Sequence, residues 1–270
     1  MRPSPIQTTN GFILLLGLAL ALARSVDQIL IGWLWGPAIL GLYERTTRLV
    51  LLPVNTINAP VYAAGMPALS RLADRPERYR SMFRQIMQKL ALLTMPVFAI
   101  AAVLADWLVL ILFGPAWVQA IPLVALFSIS AAYLPVLMAA SLLYMTQGRP
   151  GEMLRASLID AAVCIVAILA GLPWGVTGVA AAIAVAGLLV RLPVAFWLAT
   201  RRGPVSMANM VTAIAPAVCA AVMASIAVWA VRHAALAGEG APTVGGVLLL
   251  GLCGLVAIGL DAPPTRRYWP

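Results

Sequence analysis

The sequence predicts an all-α protein, a polytopic transmembrane bundle of about eight helices. Hydrophobic residues make up 63% of the 270 positions and charged residues 10%, and the mean hydropathy is +0.98. A soluble domain has about 25% charged residues. A soluble fold of this composition would therefore expose a very large apolar surface, whereas a bilayer accepts it. No stretch alternates polar and apolar residues as the strands of a membrane barrel do.

The apolar stretches set the predicted spans, because about 20 apolar residues cross the hydrocarbon core of a bilayer. Turn signals such as Gly114-Pro115 and Gly148-Arg149-Pro150-Gly151 separate several of them. The predicted spans are residues 11–36, 39–69, 90–113, 118–146, 157–172, 176–200, 207–231 and 243–260.

The loop charges orient these spans. Thirteen basic residues fall on one side of the predicted bundle, six of them between Ser70 and Lys89, and Arg232 alone falls on the other. The positive-inside rule then places both termini in the cytoplasm. The net charge of +9 is explained by topology, so no nucleic-acid partner is expected. We expect the segment from Arg71 to Arg84 to form a short amphipathic helix on anionic membrane lipids.

The sequence contains no pattern typical of an enzyme or of a metal site. The three cysteines lie in separate apolar stretches, and the single histidine, His233, stands in a predicted loop. Neither a disulfide framework nor a metal site is expected from such spacing. There is no Gly-rich phosphate loop, nucleophile elbow or zinc motif. We therefore predict no catalytic residue, no metal and no cofactor.

Polar residues at membrane depth are the candidates for function. An ionisable side chain within a span costs about 2.5–3.5 kcal/mol on insertion scales, so it normally faces a partner or a polar cavity. Arg24 and Asp27 share a helix face, as do Glu44 and Arg48. A weakly cationic cavity suits phosphate, although the same residues could be internal ion pairs that join two helices. Glu44, Arg45 and Arg48 could also lie near the membrane interface at the start of a helix. The predicted cavity residues are Arg24, Asp27, Glu44, Arg45, Arg48, Asn55 and Asn58.

Three prolines in the second span are a candidate hinge. Pro53, Pro60 and Pro67 are spaced by seven residues, which places them on nearly one helical face. Proline frees backbone carbonyl groups, and broken helices are typical of the places where transporters bend. A static kink is the alternative.

Five short segments carry a resemblance to a known family. They are SVDQILIG at 25–32, LGLY at 40–43, RLVLLP at 48–53, PALSRL at 67–72 and FGPAW at 113–117. In this order they resemble the polysaccharide and O-antigen flippases, a branch of the multidrug/oligosaccharidyl-lipid/polysaccharide exporter superfamily. The resemblance covers residues 10–197, and the last two spans match only in hydropathy.

The resemblance implies a bacterial inner-membrane transporter. Such flippases have 12 to 14 spans in two six-helix lobes, and they move undecaprenyl-diphosphate-linked oligosaccharide between leaflets by alternating access. Residues 1–200 would be the second lobe, and residues 201–270 two additional helices with a cytoplasmic tail. The first lobe is absent, so a missing N-terminal lobe or a second chain would supply the other cavity wall. The cargo phosphates would be bound by Arg24, Arg45 and Arg48. Asp27 and Glu44 would orient these arginines or bind a coupling cation.

Three alternatives remain open at this stage. The same architecture could export a drug or a peptidoglycan lipid precursor. A scaffold subunit that transports nothing would have a dry interior around Arg24 and Asp27. A membrane enzyme that polymerises sugars usually has a large outer loop, but the longest outer loop predicted here is residues 232–242.

Overall fold

The computed structural model describes residues 25–235, and this part of the chain consists of helices joined by short turns, without strands. Two 3₁₀ turns, Pro115–Ala120 and Leu172–Trp174, and one π-helical segment, Gly187–Arg191, connect the α-helices. The α-helices are α1 Val26–Ser70, α2 Pro76–Val103, α3 Ala105–Leu112, α4 Ile121–Thr146, α5 Pro150–Gly171, α6 Gly175–Ala186, α7 Leu192–Thr200 and α8 Met207–Ala235.

Helix α1 is a hairpin of two arms. A straight helix of its 45 residues would be about 67 Å long, more than twice the hydrocarbon thickness. Gly36 breaks the helical backbone with φ 80° and ψ 176°, a conformation that favours glycine, and Pro37 starts the second arm. A Cβ placed on Gly32 would lie 3.0 Å from the side chain of Leu40, so the arms fold against each other. The turn lies where the sequence predicts the boundary between the first two spans.

A second hairpin joins α5 to α6. Gly175, with φ 73°, follows the 3₁₀ turn Leu172–Trp174. A Cβ on Gly171 would lie 2.6 Å from the carbonyl oxygen of Gly178, so the two backbones touch with no room for a side chain. From Gly175 the chain runs through α6, the π-helical segment and α7 as one arm that ends at Thr200.

These helices confirm the predicted transmembrane bundle. Among the described residues, five stretches are long and apolar enough to cross a membrane: Val26–Ser70, Pro76–Val103, Pro115–Thr146, Pro150–Thr200 and Met207–Ala230. Because the first and fourth stretches are hairpins, the five stretches together accommodate the first seven predicted spans. The first span is described only from residue 25. The eighth, residues 243–260, lies outside the described part of the chain. The protein is a multi-pass membrane protein.

The basic segment after α1 departs from its prediction. It does not form a separate surface helix, because residues 76–89 are the first half of the continuous helix α2. Tyr79, Phe83 and Met87 are fully buried in the core between α2, α4 and α8. The Tyr79 hydroxyl also lies 2.6 Å from Thr146 Oγ1 of α4. The apolar stripe therefore packs on protein rather than on lipid. The predicted third span, 90–113, is interrupted at Leu104, between α2 and α3.

Helix α8 shares a core with the preceding helices. Met210, Ala213 and Ala217 belong to the same buried cluster as Tyr79 and Leu143. Small residues along α8 permit close packing on α2. The boundary predicted at residue 200 thus does not separate two hydrophobic cores in the described chain, and a functional division there stays a prediction.

Candidate cargo-binding face

One face of the second arm of α1 is left uncovered by the rest of the described bundle. Its exposed residues recur at helical spacing and form a stripe along the arm. The half of this stripe that is nearer the Gly36 turn is mostly polar. We call these residues the open face: Arg45, Arg48, Leu52, Asn55, Thr56, Ala59, Pro60, Ala63 and Met66. The opposite side of the arm is buried through Tyr43, Val50 and Val54, which pack with Phe98 and Phe127.

The arginines of the open face have few contacts with the protein. The Arg45 guanidinium lies 5.4 Å from the ring centroid of Trp117, within cation–π range. Arg48 is exposed and Glu44 is half-buried, yet no ion pair within residues 25–235 joins them. The predicted Glu44–Arg48 pair is therefore wrong for this conformation. An exposed pair gains little and loses side-chain entropy, which explains why helical spacing alone does not form it.

Asp27 is held between the two arms of α1. Its Oδ2 atom accepts a hydrogen bond of 2.8 Å from the Tyr43 hydroxyl, while Oδ1 is buried without a partner in the described chain. The predicted partner, Arg24, lies outside the described residues. The Asp27–Tyr43 contact closes the hairpin from within, and Tyr43 also packs edge-on against Phe127 at 5.1 Å.

The two predicted asparagines lie on different sides of α1. Asn55 is on the open face, whereas Asn58 is buried and turned toward α4. The Asn58 amide nitrogen lies 3.1 Å from Met138 Sδ, and its oxygen has no partner in the described chain. One turn later the Tyr62 hydroxyl contacts Ser141 Oγ and the Met138 carbonyl of α4. Asn58 and Tyr62 thus form a polar seam between helices rather than part of the open face.

The candidate hinge prolines lie within a continuous helical arm. Gly36 is the residue at which α1 leaves helical dihedral angles, whereas Pro53, Pro60 and Pro67 lie inside the helix. Pro60 and Pro67 are exposed and Pro53 is half-buried. Hinge motion at these prolines stays a prediction.

A half-buried ion pair joins α5 to the arm that contains the π-helical segment. Arg191 Nε and its NH2 group donate to the two carboxylate oxygens of Asp160 at 2.7 and 2.8 Å, in a bidentate pair. The sequence marks Asp160 and Arg191 as ionisable residues at membrane depth, but 31 positions separate them, so no spacing rule pairs them.

The π-helical segment is packed against α4. Tyr133 is buried, and its hydroxyl lies 3.5 Å from the Ile183 carbonyl. A Cβ on Gly187 would lie 1.6 Å from that hydroxyl, so only glycine leaves space for the tyrosine. Local π-helices often occur at functional sites. Here the segment turns Arg191 toward Asp160. Across residues 25–235, no three His, Cys, Asp or Glu side chains are grouped to hold a metal ion.

Comparisons with known proteins show what this sequence and this fold are similar to. Residues 11–122 match the family described as "Polysaccharide biosynthesis protein". The chain is 29% identical over 108 residues to the teichuronic acid biosynthesis protein TuaB of Bacillus subtilis (strain 168). These 108 residues are 40% of this chain and 22% of that protein. Its fold resembles the inward closed conformation of the lipid II flippase MurJ, with a TM-score of 0.69 over 89% of this chain and 50% of that one, at 13% identity. The predicted resemblance to the polysaccharide flippase family is confirmed.

The chain is shorter than the proteins that it matches. The chain spans half the length of the solved flippase, and its matched segment spans about a fifth of the Bacillus relative. The shared fold is that of a solved flippase, and the matched family is described by polysaccharide biosynthesis. With 13% identity, the structural likeness concerns the fold alone.

Proposed function

We propose that this chain is one lobe of a flippase that moves undecaprenyl-diphosphate-linked oligosaccharide across the bacterial inner membrane by alternating access. The observation that carries the proposal is the open face: Arg45, Arg48 and Asn55 are exposed within a candidate membrane-spanning helix, with no carboxylate partner in the described chain. Exposed arginines in hydrocarbon are unfavourable unless a polar cavity or a ligand receives them. A second lobe or a second chain across this face would form such a cavity.

The chemistry of the open face suits a diphosphate. Two arginines one turn apart on one face can bind phosphate oxygens through paired N–H donors. Asp27 and Glu44 carry the opposite charge nearby. In our proposal they orient the arginines or take a coupling cation. The Oδ1 atom of Asp27 has no partner in the described chain, which supports a role beyond its contact with Tyr43. The polysaccharide family match supports a sugar-bearing cargo for polysaccharide biosynthesis, with lipopolysaccharide or exopolysaccharide as the product.

A peptidoglycan lipid precursor is the second candidate cargo, because the fold resembles that of a lipid II flippase. Both cargoes present a polyprenyl diphosphate to the arginines, so the open face serves either. The sugar is what distinguishes them.

Export by the intact cell tests the proposal. In a strain lacking the parent gene, Arg45→Ala with Arg48→Ala should lower surface polysaccharide at least tenfold, and lipid-linked intermediate should accumulate in the inner leaflet. Arg78→Ala with Arg84→Ala removes the same charge from exposed positions of α2 and should leave export unchanged. Normal export by the open-face variant at normal protein abundance would refute the proposed roles. Loss of intermediate synthesis, rather than its accumulation, would favour a scaffold.

The proposed orientation has its own test. Ser70 is the last residue of the second arm of α1, and Ala116 lies in the turn before α4. Both are exposed. With Cys164, Cys219 and Cys253 replaced, a membrane-impermeant maleimide should label Ala116→Cys in intact spheroplasts and Ser70→Cys only after lysis. The reverse pattern would place the termini outside.

A further inference from the structure

A cationic pocket lies at the opposite end of the bundle from the Gly36 turn, where α4 ends, α5 begins and α7 ends. It has a volume of about 100 Å³, enough for about three water molecules or one phosphate group. Its walls are formed by Tyr144, Glu152, Arg155, Leu198, Arg201 and Arg202. With the adjacent Arg149, the group carries four arginines and one glutamate, a net charge of +3. We call it the arginine pocket.

Internal contacts account for only part of this charge. Glu152 lies 3.6 Å from Arg149 and 3.4 Å from Arg202, so one carboxylate is shared by two guanidinium groups. Arg201 stacks on Trp197 at 4.2 Å, which fixes its position without neutralising it. Arg155 is exposed and forms no ion pair within the described residues. The pocket therefore keeps an excess of positive charge toward its opening.

Buried polar groups beside the pocket point to a missing acceptor. The Tyr144 hydroxyl, which lines the pocket, is buried without a hydrogen-bond partner in the described chain. Arg149 lies over the Tyr144 ring at 5.6 Å, and its Nε and NH1 groups are also buried and unpartnered. The Gln147 amide nitrogen, two residues earlier, is in the same state. All four atoms are donors, and buried donors are normally paired. The matching ligand is rich in acceptor oxygens and negatively charged.

The position of the pocket favours a lipid headgroup. Three membrane-crossing helices end here, and Tyr144 and Trp197 are aromatic residues of the kind that lie at the membrane–water boundary. Phospholipid phosphates lie at that depth, and basic pockets between helices bind anionic headgroups. Loop charge alone explains arginines near the interface, but it does not explain buried donors left without acceptors.

We propose that the arginine pocket binds the phosphodiester headgroup of an anionic bilayer phospholipid. Arg155, Arg201 and Arg202 would receive the phosphate, and the Tyr144 hydroxyl would donate to it. Arg149 would hold Tyr144 and the turn before α5 through its 3.2 Å hydrogen bond to the Ala199 carbonyl. Glu152 would limit the site to one negative group. The site is separate from the open face and does not depend on the proposed transport.

Lipid binding to the purified full-length chain tests this site. By native mass spectrometry in detergent, phosphatidylglycerol should bind saturably and at least tenfold more tightly than zwitterionic phosphatidylcholine. Arg155→Gln with Arg201→Gln should weaken phosphatidylglycerol at least tenfold. Arg202→Gln alone should weaken it about threefold, and because this side chain is 74% exposed its loss leaves the packing intact.

Arg78→Gln with Arg84→Gln is the matched control, since it removes two exposed charges outside the pocket. It should change affinity less than twofold. Equal weakening by the control and pocket variants would overturn the proposal, because general surface charge would then explain binding. Binding of inorganic phosphate without phosphatidylglycerol, or tighter binding of a polyprenyl diphosphate, would also overturn the assignment to a bilayer lipid.

Discussion

The Asp160–Arg191 pair makes a quantitative prediction about stability. Arg191 is the more buried partner, with its side chain 13% exposed, whereas that of Asp160 is 38% exposed. Removing one partner of a buried pair costs about 3–5 kcal/mol, because the other charge is left without compensation. Asp160→Leu leaves the more buried charge, that of Arg191, without a partner, and we expect it to lower the free energy of unfolding by about 3 kcal/mol. Arg191→Met leaves a carboxylate that can reach the bundle surface, and we expect about 1.5 kcal/mol.

The double variant separates pairing from packing. With both charges replaced by apolar side chains the site carries no uncompensated charge, so the double variant should cost about 1 kcal/mol or less. The resulting coupling energy is about 3.5 kcal/mol, which is at the upper end of the values found for residues in direct contact.

The assay is thermal unfolding in detergent, followed by intrinsic fluorescence from the eight tryptophans. For a chain of this size 1 kcal/mol corresponds to a shift of about 2–4 °C, so Asp160→Leu should lower Tm by about 6–12 °C. Glu152→Gln, whose contacts lie at an exposed end of the bundle, should lower it by less than 4 °C. Additive single effects, or a larger loss from Arg191→Met than from Asp160→Leu, would refute the reasoning.

Two further predictions concern a close packing contact and a second ion pair. Gly187→Ala places a methyl group against the Tyr133 hydroxyl and should cost about 2 kcal/mol. Gly41→Ala, whose Cβ would have no atom of the described chain within 4 Å, should be neutral or stabilising by up to about 1 kcal/mol. Equal Tm values for the two variants would contradict the close contact. Asp106→Asn weakens the bidentate pair with Arg232 that joins α3 to the end of α8 and should lower Tm by about 2–4 °C. High salt should shrink that difference, and a salt-independent loss would argue for packing instead.

The positions of the helices were predictable because composition alone constrains them. A run of about 20 apolar residues has few alternatives to crossing the bilayer, and Gly36-Pro37 can only be a turn between two such runs. The same reasoning failed between residues 76 and 89. Tyr79, Phe83 and Met87 form an apolar stripe with basic neighbours, and such a stripe fits a lipid interface and a protein core equally well. Only the presence of α4 and α8 beside it decides between them.

The contacts of the polar residues were less predictable, because charge and hydropathy do not specify partners across helices. Asp27 accepts a hydrogen bond from Tyr43, sixteen residues later, because the hairpin returns the chain, and no helical spacing predicts this contact. Its pairing with Arg24, which lies outside the described residues, stays a prediction. Asn55 and Asn58 are three residues apart and resemble each other in the sequence. Yet one lies on the open face and the other contacts Met138.

The polar residues at membrane depth therefore divide by whether the described chain satisfies them. Asp160 and Arg191 satisfy each other, and Asp27 is satisfied on one oxygen, so these residues hold helices together. Arg45 and Arg48 have no carboxylate partner within residues 25–235, so removing them would leave no uncompensated charge behind. Arginines that contribute little to the fold and still lie within a membrane span require a reason outside the described chain. A phosphate-bearing cargo between two lobes supplies that reason, and it predicts that variants of Arg45 and Arg48 lose export while retaining their stability.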